Sequence, residues 1–402
     1  MKFSENWLRE LCNPPLSTAE LARALTMAGL EVEEVRAAAP AFSGVVVAKV
    51  LEVERHPDAE RLKVCKVDIG RGAPLSIVCG APNVAVGMKV PCTLVGARLP
   101  GLEIRAARLR GVESQGMLCS AAELGISEDA SGLWVLPGDA GIGEDPRVLG
   151  DLDDQIFTLK LTSNRGDCLS LLGVAREVAA ITGAALTLPD LREAPMVHGE
   201  QLSVRLSAGQ ACPRYAGRII RNIDPNAPTP AHIVRRLERS GVRAISAVVD
   251  LTNYVMLEIG QPLHAFDLDR LKGGIDVRFG RQGEQLELLN GQTVGLQPDL
   301  LAICDENGPV ALAGIMGGEP TAVTGSTTNV FLESAYFDPK AIAGRWRRLG
   351  FTSDASHRFE RGVDYLGTVR GIERLTRLIL DICGGEAGPV NDVQTMLTSR
   401  PA

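Results

Sequence analysis

The sequence predicts a multidomain α+β protein. A small closed β-barrel is inserted in a small α+β domain, and a larger mixed α+β domain follows. Three observations lead there. The chain has 402 residues, 45% hydrophobic and 23% charged, an ordinary globular composition at a length of about two to four domains. From about residue 43 to 120 the pattern becomes short Val-rich segments, VVVAKVLEVERH, LKVCKVDIG, LSIVCGA and KVPCTLVGA, broken by Gly, Pro or Asn. That spacing suits a small five-stranded barrel rather than a parallel α/β sheet. From Asp151 to Pro195 strand and helix patterning returns, so the two flanks are expected to pack together. The expected domains are 1–38 with 151–195, then 39–150, then 196–402.

Residues 4–11 and 17–28 read as helices, with Ser4 and Ser17 as N-caps. Ser17 and Glu20 form a capping-box pattern, and Gly29 is a C-cap. LEVEEV is a short strand. After the barrel strands, GVESQGMLCSAAELG turns helical. IFTLKLT is a strand, and the run from Cys168 to Thr182 is a helix stopped by Gly183. Beyond 196, LSVRL, RYAGRII, IDVRF and LLAICDENGPVALAGI read as strands. HIVRRLERSG, PKAIAGRWRRLG and LGTVRGIERLTRLILDICG read as helices.

Composition excludes several classes. The N-terminus lacks a basic and apolar leader pattern, and no apolar run approaches a membrane span, so a cytoplasmic protein without a membrane is expected. The nine cysteines are odd in number and form no CxxC pair, which gives neither a disulfide framework nor a metal site. The net charge of −7 disfavours a protein that coats nucleic acid. The charge is uneven, however: residues 43–112 hold eleven Lys/Arg against six Asp/Glu, and residues 113–160 hold two against ten. The first stretch could meet phosphates or simply be a solvated face.

HPDAERLKVCKVDIG at 56–70 opens with a proline-fixed turn and continues as strand. With CGAPNV and GVESQGMLCSAAELG, it resembles the tRNA-binding OB domains. No Phe, Tyr or Trp occurs from 43 to 133, so base stacking is poorly provided, and a structural role stands beside a tRNA-binding one. In LTSNRGDCLSLLGVAREVAAITG, Asn164, Arg165 and Asp167 read as a capped loop before a helix.

Three further segments carry chemistry: VVDLTNYVMLEIGQPLHAFDLDRL at 248–271, ALAGIMGGEPTAVTGSTTNVFLESAYFDPKAI at 311–342, and RRLGFTSDASHRFERGVD at 347–364. Gly314, Gly317 and Gly318 make either a tight turn or a close backbone approach. His264 is either a hydrogen-bonded structural residue or a ligand-facing one. Glu333 lies in the apolar run NVFLESAYF, where a buried carboxylate must be paired or await a polar ligand. Asn253 reads as a strand-end or turn residue.

Together these segments resemble the editing domain of the bacterial-type phenylalanyl-tRNA synthetase β subunit. With the flanks and the barrel, the resemblance runs in order along the whole chain. It implies an N-terminal half: an OB barrel within an α+β domain, then the editing domain, with the subunit continuing beyond this fragment. It implies a pocket for tyrosine wrongly esterified to the terminal adenosine of tRNA(Phe). There Glu333 would accept the tyrosine hydroxyl, and Gly317, Ser353 and Ala355 would line the amino-acid and adenosine site. His264 and Asn253 would orient substrate and water, assisted by Arg243. Family members often carry Thr where this chain has Ser353. The implied partners are an α subunit, in a heterotetramer of two α and two β, and tRNA(Phe). ATP and Mg2+ would serve phenylalanine attachment by the complete enzyme and not this fragment, which is expected to hold no cofactor. No Ser-His-Asp or Cys-His pattern is present, so hydrolysis without a protein nucleophile is expected. The alternative is a non-catalytic tRNA-docking and subunit-scaffold fragment.

Overall fold

The computed structural model describes residues 1–128 and 130–395. The chain divides into two compact units: Met1–Val35 with the chain from Phe157 onward, and Arg36–Ile156. Both are built of mixed or antiparallel sheet, and the chain as a whole is α+β. The insertion leaves from strand Glu31–Ala37 and returns in strand Gln155–Lys160, which are neighbours in a three-stranded sheet with Lys2–Ser4.

The local signals at the N-terminus act as expected. Ser4 accepts from Trp7 N at the start of helix Glu5–Leu11. Ser17 and Glu20 close a full capping box on helix Thr18–Met27, and Gly29 follows with φ +88°. Ser170 caps helix Leu171–Thr182, which Gly183 ends in the left-handed region. The core of this region does not stop at residue 195. Trp7 stacks on Tyr254 with ring centroids 4.8 Å apart. Phe3, Leu21 and Val174 share one hydrophobic cluster with Leu251, Leu332, Ile372, Leu375 and Ile379.

In Arg36–Ile156, strands Lys89–Leu99, Ser43–Arg55, Lys63–Asp68 and Leu75–Cys79 pair in that order, with Gly116–Leu118 and Leu102–Glu103 on the 89–99 edge. The backbone N–H of Gln115 donates to Ser76 O at 2.9 Å, tying the 75–79 edge to the turn before Gly116. The segment expected to turn helical here does not. Val112–Ser114 and Gly116–Leu118 are strands. Ser120 and Glu123 do bond reciprocally in capping-box fashion, but the single turn they start is stopped at Gly125, φ +68°.

In the larger unit, a four-stranded path runs Leu263–Asp267, Val330–Tyr336, Arg214–Arg221, Glu386–Ala387. A second sheet contains Ile275–Phe279, Leu301–Cys304, Pro309–Leu312 and Met316–Gly317. Helices Ala247–Ile259 and Gly367–Cys383 contribute Leu251, Val255, Ile372 and Leu375 to the core on one face of the first sheet, while Tyr215, Phe266 and Phe331 belong with the second sheet's Val277 and Ile303 on the other. Asn253, expected at a strand end or turn, lies within helix Ala247–Ile259. Ten residues of that helix are buried, so no polar face reports a helical period.

Trp7→Ala should remove about 3–5 kcal/mol from the unit that contains helix Ala247–Ile259. Calorimetry should show that unit's transition falling while the transition of 36–156 stays in place. An unchanged first transition would contradict the shared core.

Candidate functional site

Strand Val330–Tyr336 is buried along its whole length. It is flanked by two antiparallel partners, and the register sets Gly217, Glu333 and His264 in one row across three strands. Gly260 ends helix Ala247–Ile259 in the left-handed region. The buried Gln261 amide then donates to Ala335 O at 2.9 Å and to Pro262 O at 3.1 Å. This fixes the turn that delivers His264 beside Glu333.

The wall over this row is the chain that follows strand Pro309–Leu312. Gly317 lies against the imidazole: a Cβ there would sit 2.5 Å from His264 Cε1 and 2.7 Å from Nε2. Only glycine fits. At Gly318 a Cβ would meet Val310 O at 2.6 Å, and Gly314 combines φ +67° with contact against Phe337 and Phe359. The glycines thus serve close approach as well as turning.

Helix Asp354–Phe359 closes the site. Ser353 caps it reciprocally with Ser356 and donates its hydroxyl proton to Ile315 O at 2.6 Å. The helix start is therefore fastened to the wall, and Ser353 acts through Ile315 rather than through a free hydroxyl.

The cavity, partly open to solvent, measures about 110 Å³ and is lined by His264, Glu333, Gly317, Ile303, Ala355 and Phe359 among others. Two polar atoms at this site, Glu333 Oε2 and His264 Nε2, are buried without a hydrogen-bond partner. Buried polar groups are normally satisfied, and an unsatisfied one costs about 1–3 kcal/mol. No basic side chain pairs with Glu333 among the described residues. Burial pushes its carboxyl up to about 8 and the His264 imidazole down to about 4. His264 keeps some exposed surface, but its Nε2 is closed off. Near pH 7 the site therefore holds a neutral acid and a neutral imidazole. A larger hollow of about 850 Å³ lies in the 36–156 unit, but none of its lining residues carries an orphaned buried polar side-chain atom.

His264, Gly317, Glu333 and Ala355 come together as the sequence suggested, and Ser353 borders them. Asn253 sits half-buried on helix Ala247–Ile259, and Arg243 is exposed between helices Ala231–Arg239 and Ala247–Ile259. Neither lines the cavity. Gly217 went unread: a glycine inside RYAGRII signals a close approach, here by the Phe331 ring, 2.3 Å from the position of a Cβ. In the other unit, His56 is structural, accepting from Asp58 N and reaching Leu109 O. Lys63 and Lys89 bond to backbone carbonyls, whereas Arg55, Lys66, Arg71, Arg98 and Arg108 stay exposed. The cluster Asp167, Cys168 and Glu177 is taken up by the Arg165 guanidinium.

Residues 211–384 match the B3/4 domain, and residues 45–145 match a putative tRNA binding domain. The chain is 61% identical over 401 residues to the phenylalanine--tRNA ligase beta subunit of Dechloromonas aromatica, covering 100% of this chain and 50% of that protein. It is 58% identical over 400 residues to the same subunit of Thiobacillus denitrificans, covering 100% and 51%. Among solved structures, an N-terminal fragment of the phenylalanyl-tRNA synthetase beta-subunit from Pyrococcus horikoshii matches at 16% identity over 59% of this chain and 63% of that one, with a TM-score of 0.34. The chain is thus of the class that joins a tRNA-binding domain to a B3/4 domain. It belongs to the phenylalanine--tRNA ligase β-subunit family, and it spans about half the length of the curated relatives it matches.

The two shifted groups give opposite pH slopes. Glu333 is raised when folded, so its contribution is fully present below the unfolded value near 4.5 and is lost as pH rises through about 8. His264 is lowered, so its contribution is lost as pH falls from about 6.5 toward 4. Glu333→Gln should therefore gain stability over the parent chain progressively from pH 5 to pH 8 in urea titrations. Parallel stability curves would show that Glu333 is not buried as a neutral acid.

Proposed function

We propose that this chain carries the post-transfer editing activity of phenylalanine--tRNA ligase, hydrolysing tyrosine esterified to tRNA(Phe). The single observation that carries the proposal is the pair of orphaned buried groups, Glu333 Oε2 and His264 Nε2, at one small cavity. A phenolic hydroxyl entering there satisfies Glu333, which as a neutral acid can both donate and accept. A phenylalanine side chain leaves it unpaired, and sites built to bond a hydroxyl reject the analogue lacking it by about 10⁴-fold or more. With Nε2 deprotonated, the neutral imidazole of His264 accepts a proton from the attacking water or holds that water in place. Positioning of water and ester supplies the rest of the chemistry, and no protein nucleophile is assigned.

In this proposal the antiparallel sheet of 36–156 curls into an OB-type barrel, supported by the Gln115–Ser76 bond across its edges. Its exposed arginines meet tRNA phosphates. The complete cytoplasmic enzyme adds an α subunit, in an assembly of two α and two β, and performs ATP- and Mg2+-dependent phenylalanine attachment. No residue of this chain is assigned to ATP or Mg2+. The placement of Asn253 and Arg243 outside the cavity favours a second assignment, a tRNA-docking and scaffold fragment whose editing site works only in the full assembly.

Deacylation of tyrosyl-tRNA(Phe) by this chain separates the two, and its absence removes the first. Glu333→Ala should lower the preference for tyrosyl over phenylalanyl ester by about ten- to a hundredfold, because it removes a buried polar group that phenylalanine would leave unpaired at a cost of about 1–3 kcal/mol. His264→Ala should slow tyrosyl ester hydrolysis without a comparable loss of binding. An unchanged tyrosyl/phenylalanyl ratio in Glu333→Ala would remove the hydroxyl-reading role.

A further inference from the structure

The row Gly217–Glu333–His264 has a diagonal neighbour. Tyr215 stands two residues along its strand from Gly217, opposite Ala335, and points to the same face of the sheet. Strand alternation requires this, and the common cluster of Tyr215, Phe266, Phe331 and Ala335 shows it. Diagonal cross-strand neighbours lie roughly 7–8 Å apart and are within reach of aromatic side chains. Gly217 has no side chain, and of the two residues diagonal to Glu333 on that strand, Ile219 and Tyr215, only Tyr215 carries a polar group. Tyr215 is fully buried, and its Oη has no hydrogen-bond partner. Buried tyrosine hydroxyls normally find one. Three buried orphaned groups therefore share one sheet face: Tyr215 Oη, Glu333 Oε2 and His264 Nε2.

We propose that Tyr215 is a positioning residue for Glu333, and that through it the cavity is tuned to phenolic side chains. The proposal rests on the hydrolase assignment only for the nature of the ester. With a phenol bound, the Tyr215 hydroxyl donates to one oxygen of the Glu333 carboxyl and leaves the other turned toward the ligand. The other titratable groups near Glu333 are His264 across the adjacent strand and the buried thiol of Cys212. The wall and helix facing it offer Ile303, Ala311, Ile315, Met316, Ala355 and Phe359, none of them charged. A hydroxyl that donates to the carboxylate favours its ionised form, so its loss raises the Glu333 titration midpoint.

The test is Tyr215→Phe in the full chain, with p-cresol and toluene as probes. The Glu333 carboxyl band is assigned in difference infrared spectra against Glu333→Gln. With p-cresol bound, the variant should titrate about one pH unit higher, equivalent to about 1.4 kcal/mol. It should bind p-cresol about tenfold more weakly and toluene equally well. Its melting temperature should not fall, because the hydroxyl removed has no hydrogen-bond partner in the unliganded chain. An unchanged midpoint together with unchanged p-cresol affinity overturns the proposal and leaves Tyr215 a core residue. If the parent chain fails to hydrolyse tyrosyl-tRNA(Phe) but shows the Tyr215-dependent shift, the hydrolase assignment falls and the positioning role stands. Tyrosyl hydrolysis that is equally fast in Tyr215→Phe, with no spectral shift, removes only the positioning role.

Discussion

A carboxyl group is buried in the middle of strand Val330–Tyr336 with both neighbouring strands in place, and the rest of the site is arranged around that burial. Side chains alternate along a strand, so one face takes Val330, Leu332 and Ser334 and the other takes Phe331, Glu333 and Ala335. A register slip of one residue would send Glu333 into the core formed with helix Gly367–Cys383 and expose Leu332 to the cavity. The fold guards against this slip with buried polar contacts. Arg218, on the helix-covered face, pairs with Glu373 at 2.8 Å and donates to Gly388 O at 2.6 Å. Ser334 donates to Thr368 O at 2.7 Å. Shifting the register would strand a guanidinium and a carboxylate away from water, which is far costlier than the pair itself is stabilising.

The same logic separates the buried ions from the cavity acid. Arg214 meets Asp392, Arg218 meets Glu373, and Arg374 meets Glu258, each at 2.7–2.8 Å. Every one of these carboxylates has its cation. Glu333 has none, and the strands around it contribute glycine, imidazole and apolar side chains. Since the fold supplies partners to buried carboxylates elsewhere, the absence of one at Glu333 is a local property of the site and not a general tolerance.

What the sequence made legible was local. Ser4, Ser17, Gly29 and Gly183 act within a few residues of themselves, so their caps could be read directly, whereas the Ser170 cap was not. The apolar run 248–259 was ambiguous because helix and strand both bury such a run completely, and Asn253 was misplaced with it. At 120–123 a genuine capping pattern was present, but Gly125 limited it to one turn. The site residues His264, Gly317 and Glu333 were legible as polar or glycine interruptions of apolar segments. Their juxtaposition was available only through the family resemblance, because it depends on the register between strands 263–267 and 330–336, which no local spacing encodes. Asn253 and Arg243 precede His264 closely in the chain, but a helix and a turn intervene and carry them elsewhere.

The cavity's size constrains any ligand further. A dry cavity of about 150 Å³ admits benzene, whereas this one measures about 110 Å³. Under the proposed hydrolase assignment, a phenol-sized group occupies this partly open hollow and the rest of the ester lies outside it. One side of the hollow is the chain through Gly314, Gly317 and Gly318, and the opposite side is a central strand paired on both edges. That chain is also where added side chains would collide with His264, Val310 and Phe359. Glycine there permits the wall to lie close when the cavity is empty without filling the space that a ligand needs. Close packing thus depends on the same three positions, while Glu333 lies on a strand paired along both edges and, in the proposed function, is the group that reads a hydroxyl.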